Sequence, residues 1–192
     1  MIESQRLEPL LSSSEIADRV HAVAEAIEPR LALDAVAICL LSGGLWFAAD
    51  LSRALASLGR PLGFDALWLA SYGDTTQSAG HCEVHAKLQR PVAGRQALVI
   101  DDVIDSGLSL AEARRHLLAG GAREVLTAVF ARKPWPRERQ VTPDFVAWEA
   151  PARFLVGYGM DLAGEFRALP YVAALAEPAS HGAIASRASM AS

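Results

Sequence analysis

Apolar runs that do not alternate are what most narrows the folds open to this chain. Ala35-Val36-Ala37-Ile38-Cys39-Leu40-Leu41 holds no polar residue, and residues 64–70, 97–100 and 125–131 are nearly as apolar. A strand with one wet face alternates apolar and polar side chains. A run without alternation suits a strand covered on both faces. Between these runs the apolar positions fall at helical spacing: residues 45–58, ended by Gly59, and residues 108–118, ended by Gly120-Gly121, read as helices. Ahead of them Ser12 and Glu15 have capping-box spacing, Leu11 and Ile16 suit a hydrophobic staple, and Val20, Val23 and Ile27 carry the helix to Pro29. Strand, helix, strand, helix in this order predicts an α/β fold: an open, mainly parallel twisted sheet flanked by helices. In such sheets ligands bind beyond the carboxyl ends of the strands.

The remaining composition sets bounds on function. The 192 residues suit one domain, long enough to bury a core without a disulfide or a metal. Lys and Arg number 18 against 22 Asp and Glu, a net charge of −4 that gives no electrostatic footprint for nucleic acid. An anionic ligand must then be held by local geometry. No apolar run approaches the roughly 20 residues that span a bilayer. Met1-Ile2-Glu3-Ser4-Gln5-Arg6 lacks the apolar centre of a signal peptide, so the expectation is a cytoplasmic protein without a membrane partner. Cys39 and Cys82 read as free thiols of a reducing compartment.

Residues 71–93 are polar, contain Gly73, Gly80 and Pro91, and keep no apolar period. A weakly structured stretch of that length inside a domain suggests a functional lid. Residues 145–148, 154–156 and 171–174 are short apolar pieces that complete the sheet or a small subdomain. Residues 177–192, rich in Ala and Ser, read as a disordered tail.

The chemistry gathers after the run at 97–100, which leads into Asp101-Asp102-Val103-Ile104-Asp105-Ser106-Gly107-Leu108-Ser109. Two adjacent carboxylates, and then a third, precede a Ser-Gly-Leu-Ser turn that opens directly into a helix. The turn and the helix start offer backbone N–H groups, two hydroxyls and the positive end of the helix dipole. Together these form an anion site sized for a phosphate monoester. The acidic pair beside it suits sugar hydroxyls or magnesium. A site that takes all three suggests a ribose phosphate. Capping alone requires one Asp, not three. A response-regulator phosphoacceptor would carry its acidic pair after the first strand, where this chain has Ser42-Gly43-Gly44.

At this point residues 99–109 closely resemble the phosphoribosyl-pyrophosphate signature of type I phosphoribosyltransferases. Leu41-Ser42-Gly43-Gly44-Leu45-Trp46-Phe47 with Ala49-Asp50-Leu51 resembles the pyrophosphate loop of the 6-oxopurine branch, and Ser71-Tyr72-Gly73 the start of its flexible lid. Phe154-Leu155-Val156-Gly157-Tyr158-Gly159-Met160-Asp161 with Phe166-Arg167 resembles its base-binding C-terminal segment. The resemblance runs over roughly residues 15–175 and points to the hypoxanthine-guanine branch. It implies a phosphoribosyltransferase domain over residues 1–176, with a lid at about 71–93 and a small hood built from about 1–30 and 145–176. It further implies purine salvage: 5-phosphoribose passes from phosphoribosyl pyrophosphate to N9 of hypoxanthine or guanine, giving IMP or GMP and pyrophosphate, with Mg2+ as cofactor. Family members are homodimers or homotetramers, so an oligomer is expected too.

By the same resemblance, Asp101 and Asp102 would bind the ribose hydroxyls directly or through magnesium, and Asp105 would act as general base near N7 of the purine. Asp105, Ser106, Gly107, Leu108 and Ser109 would cradle the 5′-phosphate. Ser42, Gly43 and Arg167 would bind pyrophosphate. Lys133 would reach the 6-oxo group, Phe154 would stack on the base, and Leu155 would offer backbone groups to its edge. Asp161, beside the base, would ligate a second magnesium, and Ser71 and Tyr72 would open the lid.

The sequence departs from the family pattern at Ser42, where a lysine is usual, and at Leu155 and Leu162. Ser42 removes a charge, so pyrophosphate would lean more on backbone amides and Arg167, while Leu155 and Leu162 bear on the preference among hypoxanthine, guanine and xanthine. Ser42 also supports a second reading, a regulator that binds phosphoribosyl pyrophosphate without turnover. Retention of Asp105, Lys133, Asp161 and Arg167 weighs against it, because a sensor has no need of a base pocket. The same chemistry on a pyrimidine fits the spacing of Lys133 and Phe154 less well.

Overall fold

The unbroken apolar runs become the inner strands of one sheet. In the computed structural model, which describes residues 7–71 and 82–176, the order is β1 (Leu7–Leu11), α1 (Ser13–Ile27), a 3-10 turn (Glu28–Arg30), β2 (Val36–Leu41), α2 (Leu45–Ser57), β3 (Gly63–Ser71) and β4 (Cys82–Ala86). There follow β5 (Gln96–Ile104), α3 (Leu108–Ala119), β6 (Glu124–Arg132), β7 (Phe145–Glu149), β8 (Leu155–Val156) and β9 (Val172–Leu175). Tyr72 and the expected tail at 177–192 fall outside the described residues. The six-stranded sheet has the order β4-β3-β2-β5-β6-β7. All its pairs are parallel except β4, which runs antiparallel to β3.

The absence of alternation has the expected cause: each inner strand feeds two cores. Ala37, Cys39, Leu98, Ile100, Ala128 and Phe130 pack with Phe47, Leu51 and Leu55 of α2 and Ile16, Val20 and Val23 of α1. Val36, Ile38, Leu40, Val99 and Val129 pack on the other side with Leu110, Ala113 and Leu117 of α3. Phe47, Leu51, Leu55, Leu110 and Leu117 are fully buried, and each such side chain stabilises by about 1.5–3 kcal/mol relative to exposure. The capping box forms: Glu15 N–H donates to Ser12 Oγ at 3.3 Å, and Ser12 N–H donates to Glu15 Oε2 at 2.8 Å.

Three features differ from the sequence reading. Part of the expected lid is sheet: β4 pairs with the end of β3 (Ser71↔Cys82, Ala70↔Glu83), and a bulge falls between Trp68 and Leu69. Cys82-Glu83-Val84-His85-Ala86 is a short edge strand, too polar to stand out by periodicity. After it, Asp65 accepts the N–H groups of Gln89 and Arg90 at 2.8 Å each, which fixes the return into β5.

The hood is also narrower than 1–30 and 145–176. Helix α1 packs against α2 and β7, and β7 is the edge strand of the main sheet, parallel to β6. What stands apart is a three-stranded antiparallel sheet, β1-β9-β8. Its strand β1 includes Pro9 at an irregular step in the pairing with β9, and a strand of five residues with a proline gives no pattern to read. Finally, β5 does not stop at Ile100 but continues through both aspartates to Ile104. Among the described residues no helix is long and apolar enough to cross a membrane.

Candidate active site

Strand β2 lies between β3, which follows it on one side, and β5, which stands on the other and leads outward to β6 and β7. The carboxyl ends of β2 and β5 therefore flank a topological switch point, where open α/β sheets leave a crevice. The register Cys39↔Ile100 sets the segment after Leu40 beside Asp101 and Asp102.

The crevice is tight. A Cβ on Gly43 would stand 2.1 Å from Asp102 Oδ2, and one on Gly44 would meet the carbonyls of Leu40 and Ile100 at 2.7 and 2.8 Å. Only glycine lets this loop approach the acidic pair so closely. The peptide bond between Leu41 and Ser42 is cis, and Ser42 itself is exposed.

Asp102 is only 9% exposed. Its Oδ1 accepts the Val103 N–H at 2.8 Å, and Asp101 Oδ1 accepts the Asp102 N–H at 3.0 Å. Burial pushes the Asp101 carboxyl well above the usual carboxylate range, and the adjoining Asp102 charge pushes it further. Burial raises Asp102 as well, while hydrogen bonds from Asp101 and Val103 and the nearby Arg167 guanidinium pull it back. Both carboxyls of the pair are thus held above their ordinary range, by burial first. The arrangement is an acceptor pair, Asp102 buried and Asp101 half-buried, short of positive charge.

Past the pair, the turn Asp105-Ser106-Gly107-Leu108-Ser109 leads into α3. Gly107 sits at φ +82°, and a Cβ there would press on the Val141 carbonyl at 3.0 Å. No side chain caps the α3 N-terminus from Gly107; Leu108 N–H donates to Ser106 Oγ at 3.4 Å, a long bond that an anion at the turn could replace. A cavity of about 150 Å3 opens here, lined by Asp101, Asp105 and residues 106–110. A small pocket of amides and hydroxyls at a helix N-terminus is suited to an anion.

Lys133 follows β6 directly and reaches back to this turn. Its Nζ lies 3.2 Å from Asp105 Oδ1 and 3.4 Å from Oδ2, and its N–H donates to the Ile104 carbonyl at 3.2 Å.

The third wall comes from the segment after β8. Gly159 adopts φ +102°, and a Cβ there would stand 2.2 Å from the Gly43 carbonyl, so the two loops touch backbone to backbone. Arg167 donates to the Gly159 carbonyl, and its Nη2 lies 2.7 Å from Asp161 Oδ1. Asp161 Oδ2 accepts the Gly164 N–H at 2.6 Å.

The candidate residues thus fall into two contacting groups. Asp101, Asp102, Gly43, Arg167 and, through Arg167, Asp161 form one. Asp105 and Lys133 form the other, on the turn of Ser106 to Ser109. Phe154 and Leu155 stand on the small sheet. Phe154 is 50% exposed, leaving its ring free to stack, whereas the Leu155 side chain is buried and offers only its backbone. Ser71 is the last residue of β3.

Sequence reasoning missed the partner of Asp50. Tyr158 donates to Asp50 Oδ2 at 2.8 Å, and burial, together with the Asp50 charge, pushes the phenol well up. This bond fastens α2 to the turn that carries Gly159. The residues are 108 positions apart, and no signal in a single sequence pairs them. Arg139, which bonds the Asp105 and Lys133 carbonyls, was hidden in a polar, proline-rich stretch.

Comparison with known proteins agrees with this fold. Residues 12–162 match the phosphoribosyl transferase domain. The chain is 34% identical over 173 residues to the hypoxanthine-guanine phosphoribosyltransferase of Aquifex aeolicus, covering 89% of this chain and 96% of that protein. It is 35% identical over 167 residues to that of Bacillus subtilis, covering 86% and 91%. Among solved structures, a hypoxanthine-guanine phosphoribosyltransferase from Bacillus anthracis superposes with a TM-score of 0.79 at 29% identity, covering 88% of this chain and 98% of the other.

Proposed function

This chain belongs to the phosphoribosyl transferase domain family, and we infer from its site that it is a purine-salvage phosphoribosyltransferase. It transfers 5-phosphoribose from phosphoribosyl pyrophosphate to N9 of hypoxanthine or guanine, giving IMP or GMP and pyrophosphate. The observation that carries the base assignment is the Asp105–Lys133 pair at 3.2 Å. A 6-oxopurine presents O6 and N7 side by side on one edge. An ammonium group and a carboxylate in contact match the 6-oxo oxygen and a protonated N7.

In this reading the amides and hydroxyls of Asp105 to Ser109 hold the 5′-phosphate, and Asp101 and Asp102 accept the ribose hydroxyls. Phe154 stacks on the base while the Leu155 backbone meets its edge. As the N9 bond forms, positive charge builds on the ring, and Asp105 takes the N7 proton. The acidic pair favours the cationic ribose that develops as pyrophosphate leaves. Gly43 amides and Arg167 receive the departing charge. With Ser42 in place of a lysine, pyrophosphate leans harder on Arg167, which must leave Asp161 to bind it. A lid beginning at Ser71 and Tyr72 excludes the water that would hydrolyse the activated ribose.

Magnesium fits these residues. Asp101, half-buried, and Asp102, buried, are oxygen donors short of counter-charge, and Asp161 would ligate a second magnesium once Arg167 turns away. Among the described residues no three potential ligands cluster as a protein cage, and magnesium typically binds through one or two carboxylates plus substrate phosphates. When bound, it would neutralise charge on the leaving pyrophosphate. A homodimer or homotetramer and a cytoplasmic location complete the reading; Cys39, a buried free thiol, suits a reducing compartment.

Incubation with phosphoribosyl pyrophosphate, magnesium and each of hypoxanthine, guanine, xanthine, adenine and uracil tests it. Nucleotide is expected with the oxopurines. No product with any base would favour a binding regulator instead.

A further inference from the structure

We propose that Arg139 is a positioning residue that holds the phosphate turn and the base-contacting lysine at a fixed separation. Strands β5 and β6 pair as far as Ile104↔Arg132, and Lys133 N–H to the Ile104 carbonyl is the last rung. Beyond it the ladder ends, yet the two site residues are the next on each side. Arg139 takes over there: its Nε donates to the Asp105 carbonyl at 2.9 Å and its Nη2 to the Lys133 carbonyl. One rigid guanidinium fork thus spans the ends of two strands.

The neighbouring backbone braces the same turn, with Gln140 N–H donating to the Ser106 carbonyl at 3.1 Å. Arg139 is half-buried while Arg137 and Glu138 beside it are exposed, so it is directed inward rather than solvated. Both bonds are part-buried rather than sealed in the core, so water could replace the guanidinium if it were removed. The strut therefore contributes little to folding, and its effect falls on the spacing between the phosphate and purine subsites.

This inference rests on the purine-nucleotide reading of the site, and the consequence depends on which ligand spans the strut. IMP occupies both subsites at once. Phosphoribosyl pyrophosphate occupies the phosphate turn but not the base position. Pre-organised spacing rewards only the ligand that bridges it.

Calorimetric titration in magnesium buffer of the whole chain, R139M and R139K, with IMP and with phosphoribosyl pyrophosphate, separates the cases. R139M should weaken IMP about tenfold while changing phosphoribosyl pyrophosphate less than about twofold. R139K, a point donor able to reach one carbonyl, should fall between, with a melting temperature close to that of the parent chain. Equal weakening of both ligands would mark Arg139 as merely structural and overturn the proposal, as would unchanged IMP affinity in both variants. A parent chain that binds phosphoribosyl pyrophosphate but not IMP would instead overturn the purine reading, and the strut with it.

Discussion

Asp105 and Lys133 are each unremarkable alone, a surface acid and a surface base; their contact at 3.2 Å makes them a site. Asp105→Asn keeps the shape and the turn but cannot take a proton. It should leave phosphoribosyl-pyrophosphate binding nearly intact while lowering turnover by roughly 10²-fold or more, and unchanged turnover would remove Asp105 as the base. The acidic pair yields a second prediction at this scale. Asp101 is raised above its unfolded value, mainly by burial. Between those two values the folded chain holds a proton that the unfolded chain has released, so stability falls as pH rises through that window and stays reduced above it. Asp101→Asn removes the penalty while preserving the acceptor for the Asp102 N–H. Its melting temperature should exceed the parent's at pH 7, converge with it as the pH approaches 4, and be accompanied by weaker phosphoribosyl-pyrophosphate binding. A variant less stable than the parent at pH 7 would contradict the assignment.

At the scale of elements, the loop between β2 and α2 carries Ser42 where the resemblance leads one to expect a lysine. If pyrophosphate lacks a charged contact there, Ser42→Lys should tighten it by about 1 kcal/mol, as expected for a charge-assisted contact partly exposed to water. The gain should shrink as salt rises. Flat affinity in an inhibition titration would mean that the loop presents pyrophosphate in another way. Legibility also divides by element. The inner strands, α2, α3 and the Ser12–Glu15 cap were readable because local patterns dictate them: burial on both faces abolishes alternation, and a cap needs two residues at fixed spacing. Strands β1 and β4 were not. Each is only five residues long, β1 interrupted by Pro9 and β4 by Glu83 and His85, and each is held by a partner distant in sequence or across residues 72–81. The site followed the same rule. Its contiguous turn stood out at once, whereas Asp50–Tyr158 and Arg139 depend on pairings that only the fold creates.

Over the whole molecule, the division of labour follows the sheet. The six strands fix the spacing of β2, β5 and β6, whose ends carry the Ser42-Gly43-Gly44 loop, the acidic pair with the turn of Asp105 to Ser109, and Lys133. The small sheet contributes Phe154 and is moored to the crevice where Gly159 meets Gly43. The central claim is that this assembly selects a 6-oxopurine. An ammonium group is three donors and no acceptor, so Lys133 satisfies a 6-oxo oxygen but faces a donor amino group in adenine. Each mismatch left in a closed pocket costs about 1–3 kcal/mol, and the reversed protonation at N1 adds another. Lys133→Gln should narrow the difference, because an amide can turn its oxygen toward the amino group. The most direct measurement is kcat/KM for hypoxanthine against adenine in the parent chain and in Lys133→Gln. The account predicts a large preference for hypoxanthine in the parent, reduced in the variant; a parent chain that used adenine as readily as hypoxanthine would contradict it.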